Sequence, residues 1–114
     1  MTRRRYMQAR RLCKRLYKRQ VELKRAMTSD ATPSEQMEHM QALSGMVASK
    51  MALLQLDAWE ARFACNNKGI QLPPPHRSEG DGYHELSADQ RHNLRQRLEA
   101  ESDANHEILI SQGE

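Results

Sequence analysis

A chain of 114 residues that is 38% hydrophobic and 29% charged, with one Phe and one Trp, has little material for a thick core; it fits a thin helical domain or an oligomer of such units. No apolar run approaches the roughly 18 residues that cross a bilayer, and the basic start has no apolar stretch behind it, which reads against a secretory signal and for a cytoplasmic protein. The formal net charge of +3 conceals a split, because residues 1–27 carry eleven Lys or Arg and one acid (+10) while residues 28–114 carry seven bases and fourteen acids (−7).

Residues 2–27 contain neither Gly nor Pro and read as one amphipathic helix. Tyr6, Cys13, Gln20 and Met27 fall in one column of a seven-residue repeat, and Ala9, Leu16 and Leu23 fall in the column three or four residues away. That pattern is the seam of a helix packed on a single partner, with Gln20 its one polar interruption. Away from the seam, Arg4, Arg11, Lys18 and Arg25 make a column that is basic at every position. Arg3, Arg10 and Lys24, together with Tyr17, form the neighbouring column, and Lys14, Arg15 and Arg19 lie on the other flank. From Arg4 to Arg25 the strip is about 31 Å long at 1.5 Å per residue, close to the roughly 34 Å of one DNA turn. Like charges at i,i+4 cost a few tenths of a kcal/mol per pair, so an uncompensated strip calls for a counter-charged partner.

A turn at Thr28–Ala31 leads to Thr32-Pro33-Ser34-Glu35, a helix start with Thr32 as N-cap, Pro33 as first helical residue and Glu35 closing a capping box. The second helix is predicted to run to about Asn66, where Asn66-Asn67-Lys68-Gly69 supplies a stop with Gly69 at positive φ. Its seam is Met37, Met40, Ser44, Val47, Met51, Leu54, Ala58, Ala61 and Cys65. A short connection makes the two helices an antiparallel hairpin, with Met27 opposite Met37, Cys13 opposite Met51 and Tyr6 opposite Ala58. Ala42, Ser44, Gly45, Ala48, Ser49 and Ala52 permit close helix approach. In this alignment Trp59–Cys65 overhangs the first helix, and either a third helix or a second protomer has to cover it; a homodimer is the economical expectation.

Residues 68–86 read as a Pro/Gly-rich linker, with Gln71–Pro75 in polyproline II and His76–Gly82 a flexible polar tract serving as a spacer. Ser87-Ala88-Asp89-Gln90 is a second capping box, opening a third helix through Leu94 and Leu98 to near Asn105. The apolar tail Ile108-Leu109-Ile110 is free to dock on the hairpin or on another chain. The expected architecture is therefore all-α: a coiled-coil-like hairpin (residues 1–67), a linker (68–86), and an acidic third helix with a tail (87–114).

Little in the chain suggests chemistry. Cys13 and Cys65 would lie about 20 Å apart in the hairpin, too far to bridge, and read as buried free thiols. His39, His76, His84, His92 and His106 show no zinc-ligand spacing. With no phosphate-cradling Gly loop, nucleophile elbow or paired carboxylates, no enzyme, cofactor or metal is expected.

The basic helix is then the functional candidate, through Arg3, Arg4, Arg10, Arg11, Lys14, Arg15, Lys18, Arg19 and Arg25. The leading expectation is a small nucleic-acid-binding accessory or regulatory protein (for DNA or RNA) that grips phosphates with little sequence specificity. The alternative is a protein–protein adaptor or inhibitor that engages an acidic protein surface. Asp57, Glu60 and the acidic C-terminal region are placed to offset part of the positive charge by folding back.

Overall fold

The computed structural model describes residues 2–29 and 33–113. They form three helices, α1 (Thr2–Met27), α2 (Ser34–Asn67) and α3 (Ala88–Gly113). Two single-turn 3₁₀ helices, Arg77–Glu79 and Tyr83–Glu85, lie between α2 and α3. The molecule measures 52 × 25 × 24 Å, its long axis set by the helices.

The fold is the all-α hairpin with a third helix that the heptad pattern predicts. Along α1, Tyr6 and Cys13 are fully buried, Ala9 and Leu23 nearly so, and Leu16, Gln20 and Met27 partly. Gln20 Nε2 donates to the Ser44 carbonyl at 3.3 Å, which pins the antiparallel alignment. The same alignment brings Tyr6 and Ala9 onto Ala58 and Ala61.

α2 is the central helix, and residues on both of its faces are covered. At 3.6 residues per turn, Gly45, Ser49, Asp57 and Glu60 point away from the α1 seam, and α3 packs there. Asn105 Nδ2 donates to Ser49 Oγ at 3.2 Å, and Ser49 Oγ donates to the Gly45 carbonyl. A Cβ on Gly45 would stand 3.3 Å from Asn105 Oδ1, so Gly45 and Ser49 serve the close approach of α3. Lower on the interface Leu98 is buried, and the Arg91 guanidinium lies 5.0 Å from the Phe63 ring centroid.

The ends of the helices follow backbone hydrogen-bonding needs, with two corrections. α2 starts one residue later than its sequence suggests: Pro33 is the N-cap, extended at φ −62°, ψ 149°, with no side-chain cap. The first intrahelical bond runs from the Met37 N–H to the Pro33 carbonyl at 2.9 Å; Thr32 lies outside the described residues. At the other end the Ile70 N–H reaches the Cys65 carbonyl and the Gly69 N–H reaches that of Asn66, a Schellman stop made possible by Gly69 at φ +73°. The capping box at α3 forms as expected, Gln90 Oε1 accepting from the Ser87 N–H and Ser87 Oγ accepting from the Gln90 N–H. α3 then continues to Gly113 instead of ending near Asn105. No Gly or Pro interrupts residues 88–112, so the Ile108–Ile110 stretch extends the helix, with Leu109 partly covered and Ile108 and Ile110 exposed.

The segment between α2 and α3 departs most from expectation. It is not a free spacer: it lies back across the flank shared by α1 and α2, with Ser78 and Glu79 fully buried. This strap covers Trp59 and Arg62, and α3 brings Arg91 onto Phe63. The exposed overhang that argued for a second protomer is therefore closed within one chain.

The α2–α3 approach generates a stability prediction. Gly45→Ala should stay within about 1 kcal/mol of the parent, because its helix-propensity gain offsets a small shift of Asn105. Gly45→Leu should cost about 1–3 kcal/mol by forcing α3 outward. Urea denaturation followed by circular dichroism measures both.

Candidate nucleic-acid interface and its buried anchor

On the face of α1 turned away from its seam, Arg3, Arg4, Arg11, Lys14, Arg15, Lys18, Arg19 and Arg25 are all exposed, and so are Arg5 and Lys24. Among the described residues only Arg19 of this group has a carboxylate within reach, Glu22 at 4.0 Å, and both partners are more than half exposed. A surface pair of that kind is worth well under about 1 kcal/mol. The strip therefore keeps its charge.

The acids expected to neutralise it are engaged elsewhere. Arg95 of α3 reaches Asp57 Oδ1 at 2.8 Å and Glu60 Oε2 at 3.0 Å. Burial works against the Arg95 charge, but the two carboxylates outweigh it and hold the guanidinium above its ordinary range. Asp57 and Glu60 thus tie α2 to α3 and form no ion pair with α1 among the described residues, although Glu60 also borders a shallow depression with Arg4 and Arg5. Nor does the acidic C-terminal helix fold back on the basic one; α3 packs on α2.

One acid from the C-terminal half does reach α1, and it is buried. The Tyr6 hydroxyl donates to Glu79 Oε1 at 2.6 Å. Arg10 Nε approaches Glu79 Oε2 to 3.9 Å, and Arg62 Nη2 approaches Oε1 to 4.0 Å. Arg62 also donates to the Tyr6 hydroxyl and to the Pro73 carbonyl, the latter at 2.7 Å. Arg10 Nη1 donates to the Pro74 carbonyl at 3.2 Å. Of the predicted contact residues, then, Arg10 alone turns inward.

Local structure delivers Glu79 to this point. His76 caps the first 3₁₀ turn, its Nδ1 accepting from the Ser78 N–H, while Glu79 Oε2 accepts from the His76 N–H at 2.6 Å. The proline carbonyls, which no helix or strand uses, serve as acceptors for the two arginines. Trp59 Nε1 donates to the Glu79 carbonyl at 2.8 Å, and Gln55 Nε2 donates to that of Ser78 at 2.9 Å. Tyr83 then stacks on Trp59, ring centroids 6.4 Å apart, and its hydroxyl donates to Gln55 Oε1. Gly80 takes φ +73°, and a Cβ there would stand 3.0 Å from Tyr83 Cε2 and 3.1 Å from Gln55 Cδ, so both its conformation and its surroundings suit a glycine.

The strap also carries a cation of its own. Arg77 is exposed, and its guanidinium carbon lies 5.8 Å from the Tyr17 ring centroid on α1. Sequence reading placed Glu79 and Arg77 in a polar tract without a role. The usable signals were the His76-x-x-Glu79 spacing of a capping box and the need of a seam Tyr and a lone Trp for polar partners.

Both cysteines are free and buried. Burial, reinforced by the charges of Glu79 and Asp57, pushes the Cys13 thiol up to about 12. Among the described residues no helix is long and apolar enough to cross a membrane, and no three His, Cys, Asp or Glu side chains are grouped to hold a metal ion. Comparison with protein-family models, curated proteins and solved structures finds no match to this chain.

Two predictions follow from the anchor. Glu79→Ala leaves two guanidiniums and a hydroxyl buried without their anion, and should cost about 3–5 kcal/mol in urea denaturation. Glu22→Ala should change stability by less than about 0.5 kcal/mol. The fluorescence of the single Trp should shift to the red in the Glu79 variant at denaturant levels where the parent is unchanged. Alkaline stability is the second. Above pH 9 the unfolded chain loses the Cys13 proton while the folded chain keeps it, so the unfolded state binds fewer protons and stability falls with pH until about 12. Tyr6 and Tyr83, both raised chiefly by burial, act in the same direction above about pH 10. Denaturation midpoints between pH 8 and 11 should decline, and Cys13→Ala should flatten the first part of that decline.

Proposed function

We propose that this protein binds nucleic acid through the outward face of α1, as a small cytoplasmic accessory or regulatory factor with little sequence specificity. The observation that carries this reading is the free state of the strip. Arg3, Arg4, Arg11, Lys14, Arg15, Lys18 and Arg25 are exposed and make no ion pair among the described residues, while Asp57 and Glu60 belong to Arg95.

The physical consequence is a rigid row of cations about 31 Å long. A polyanion with regularly spaced phosphates would exchange its condensed counterions for that row, gaining the entropy of their release. Rigidity helps, since the helix is already fixed by its seam and less ordering cost falls on binding. The same contacts carry no base information, so affinity should vary little with sequence.

Fluorescence anisotropy with labelled duplex DNA, single-stranded DNA and RNA tests the proposal. If about six phosphates are engaged, log K should fall with log salt at a slope near −5. Replacing Arg4, Arg11, Lys18 and Arg25 together by Gln should flatten the slope to about −2 and weaken all ligands alike. That variant should fold at least as stably, because it relieves i,i+4-type repulsion along the helix. Binding that is absent, or indifferent to salt, defeats the proposal. Recovery from cells of an acidic protein whose capture survives nuclease would instead support the adaptor reading.

A further inference from the structure

We infer that the strap and α1 together build one defined phosphate subsite within the basic face, and that Glu79 organises it although it carries the wrong charge for the ligand. This rests on the nucleic-acid reading above and adds a location, a second contributing element and a sign test.

Met7, Arg10, Arg11 and Lys14 enclose a surface depression of about 160 Å³, room for roughly five waters at their liquid volume. These residues are spaced at i, i+3, i+4 and i+7, so one helical face presents all of them. The three cations differ in freedom. Arg11 and Lys14 are exposed side chains, whereas Arg10 is held by Glu79 and the Pro74 carbonyl with only 15% of its side chain accessible. Three residues beyond Lys14 is Tyr17, on the next turn of the helix, and the strap lays Arg77 over its ring. A fourth cation from a separate part of the chain thus borders the same stretch of α1.

Among the described residues the rest of the strip is a row of long exposed side chains, of which only Arg19 has a carboxylate within reach, the exposed Glu22. Here one guanidinium is preoriented by a buried carboxylate and another is carried on the segment that this carboxylate anchors. A phosphodiester oxygen entering the depression meets Arg10, Arg11 and Lys14 at once. Charge-assisted hydrogen bonds from oriented donors are stronger and cost less ordering than those from mobile ones. Arg77 is positioned for the adjacent phosphate. The ligand chemistry is a phosphodiester backbone; parallel DNA and RNA titrations distinguish its source.

Glu79→Gln provides the sign test. It removes a negative charge near the interface, so a simple electrostatic strip would hold polyanions more tightly. A subsite organised by Glu79 loses affinity instead, because Arg10 and the strap are released. With the full chain and a labelled duplex about two turns long, Glu79→Gln with native circular dichroism should bind several-fold more weakly. Arg77→Gln should also bind several-fold more weakly and lose about one unit of salt slope, whereas Arg97→Gln, an exposed control on α3, should leave the slope unchanged. If Glu79→Gln fails to fold, Arg77→Gln decides alone. Equal or tighter binding by folded Glu79→Gln, or an Arg77→Gln slope that matches Arg97→Gln, overturns the subsite while leaving salt-dependent binding by the parent intact. Failure of the parent itself to bind overturns the nucleic-acid reading and the subsite with it.

Discussion

The architecture depends on one carboxylate placed where water cannot reach it. Glu79 is 1% exposed and takes the Tyr6 hydroxyl, the backbone of its own turn and two guanidiniums. A buried anion is tolerable only if its lone pairs are matched, and the matches here come from three stretches of chain: α1, α2 and the strap itself. The consequence is geometric. Tyr6 and Arg10 of α1, Arg62 of α2 and residues 73–79 of the strap can satisfy one another in a single arrangement. An apolar core alone would leave the relative position of these pieces looser, since its contacts are non-directional.

Around that anchor the charges are sorted. α2 presents its small and apolar seam to α1, and its acids, Asp57 and Glu60, to Arg95 of α3. α3 keeps its acids away from α1 by packing on the far side of α2. The outcome is a positive edge and a negative edge separated by one helix. α1 tolerates its repulsive row because the opposite face is held by Tyr6, Ala9, Cys13 and Leu23, all buried. Their packing offsets the few tenths of a kcal/mol that each like-charge pair costs.

Much of this was legible in the residues. The seven-residue columns through Tyr6, Cys13 and Gln20 gave both the seam and the placing of Tyr6 against Ala58, because the period of a packed helix is fixed by backbone geometry. The Ser87–Gln90 cap and the Gly69 stop were legible for the same reason: they answer local hydrogen-bond needs with few available residues. The strap was not. Pro73–Pro75 followed by Gly80 and Gly82 carries the composition of an open linker, and its partners in α1 lie more than sixty positions away. Arg10 could not be told from Arg11 by type. Its inward role comes from the strap, which periodicity does not see. The end of α3 was missed because apolar residues in a tail suggest docking, while the backbone simply had no reason to stop.

The bond between Tyr6 and Glu79 spans 73 positions of sequence. During synthesis at roughly 5–20 residues per second, the hydroxyl made near the beginning waits several seconds for the carboxylate that completes it. The α1–α2 hairpin, whose contacts are nearer in sequence, can form within that interval. Until residues 73–83 are made, Trp59 lacks the Glu79 carbonyl and the Tyr83 ring, and Arg62 lacks the Pro73 carbonyl, that each contacts in the finished fold.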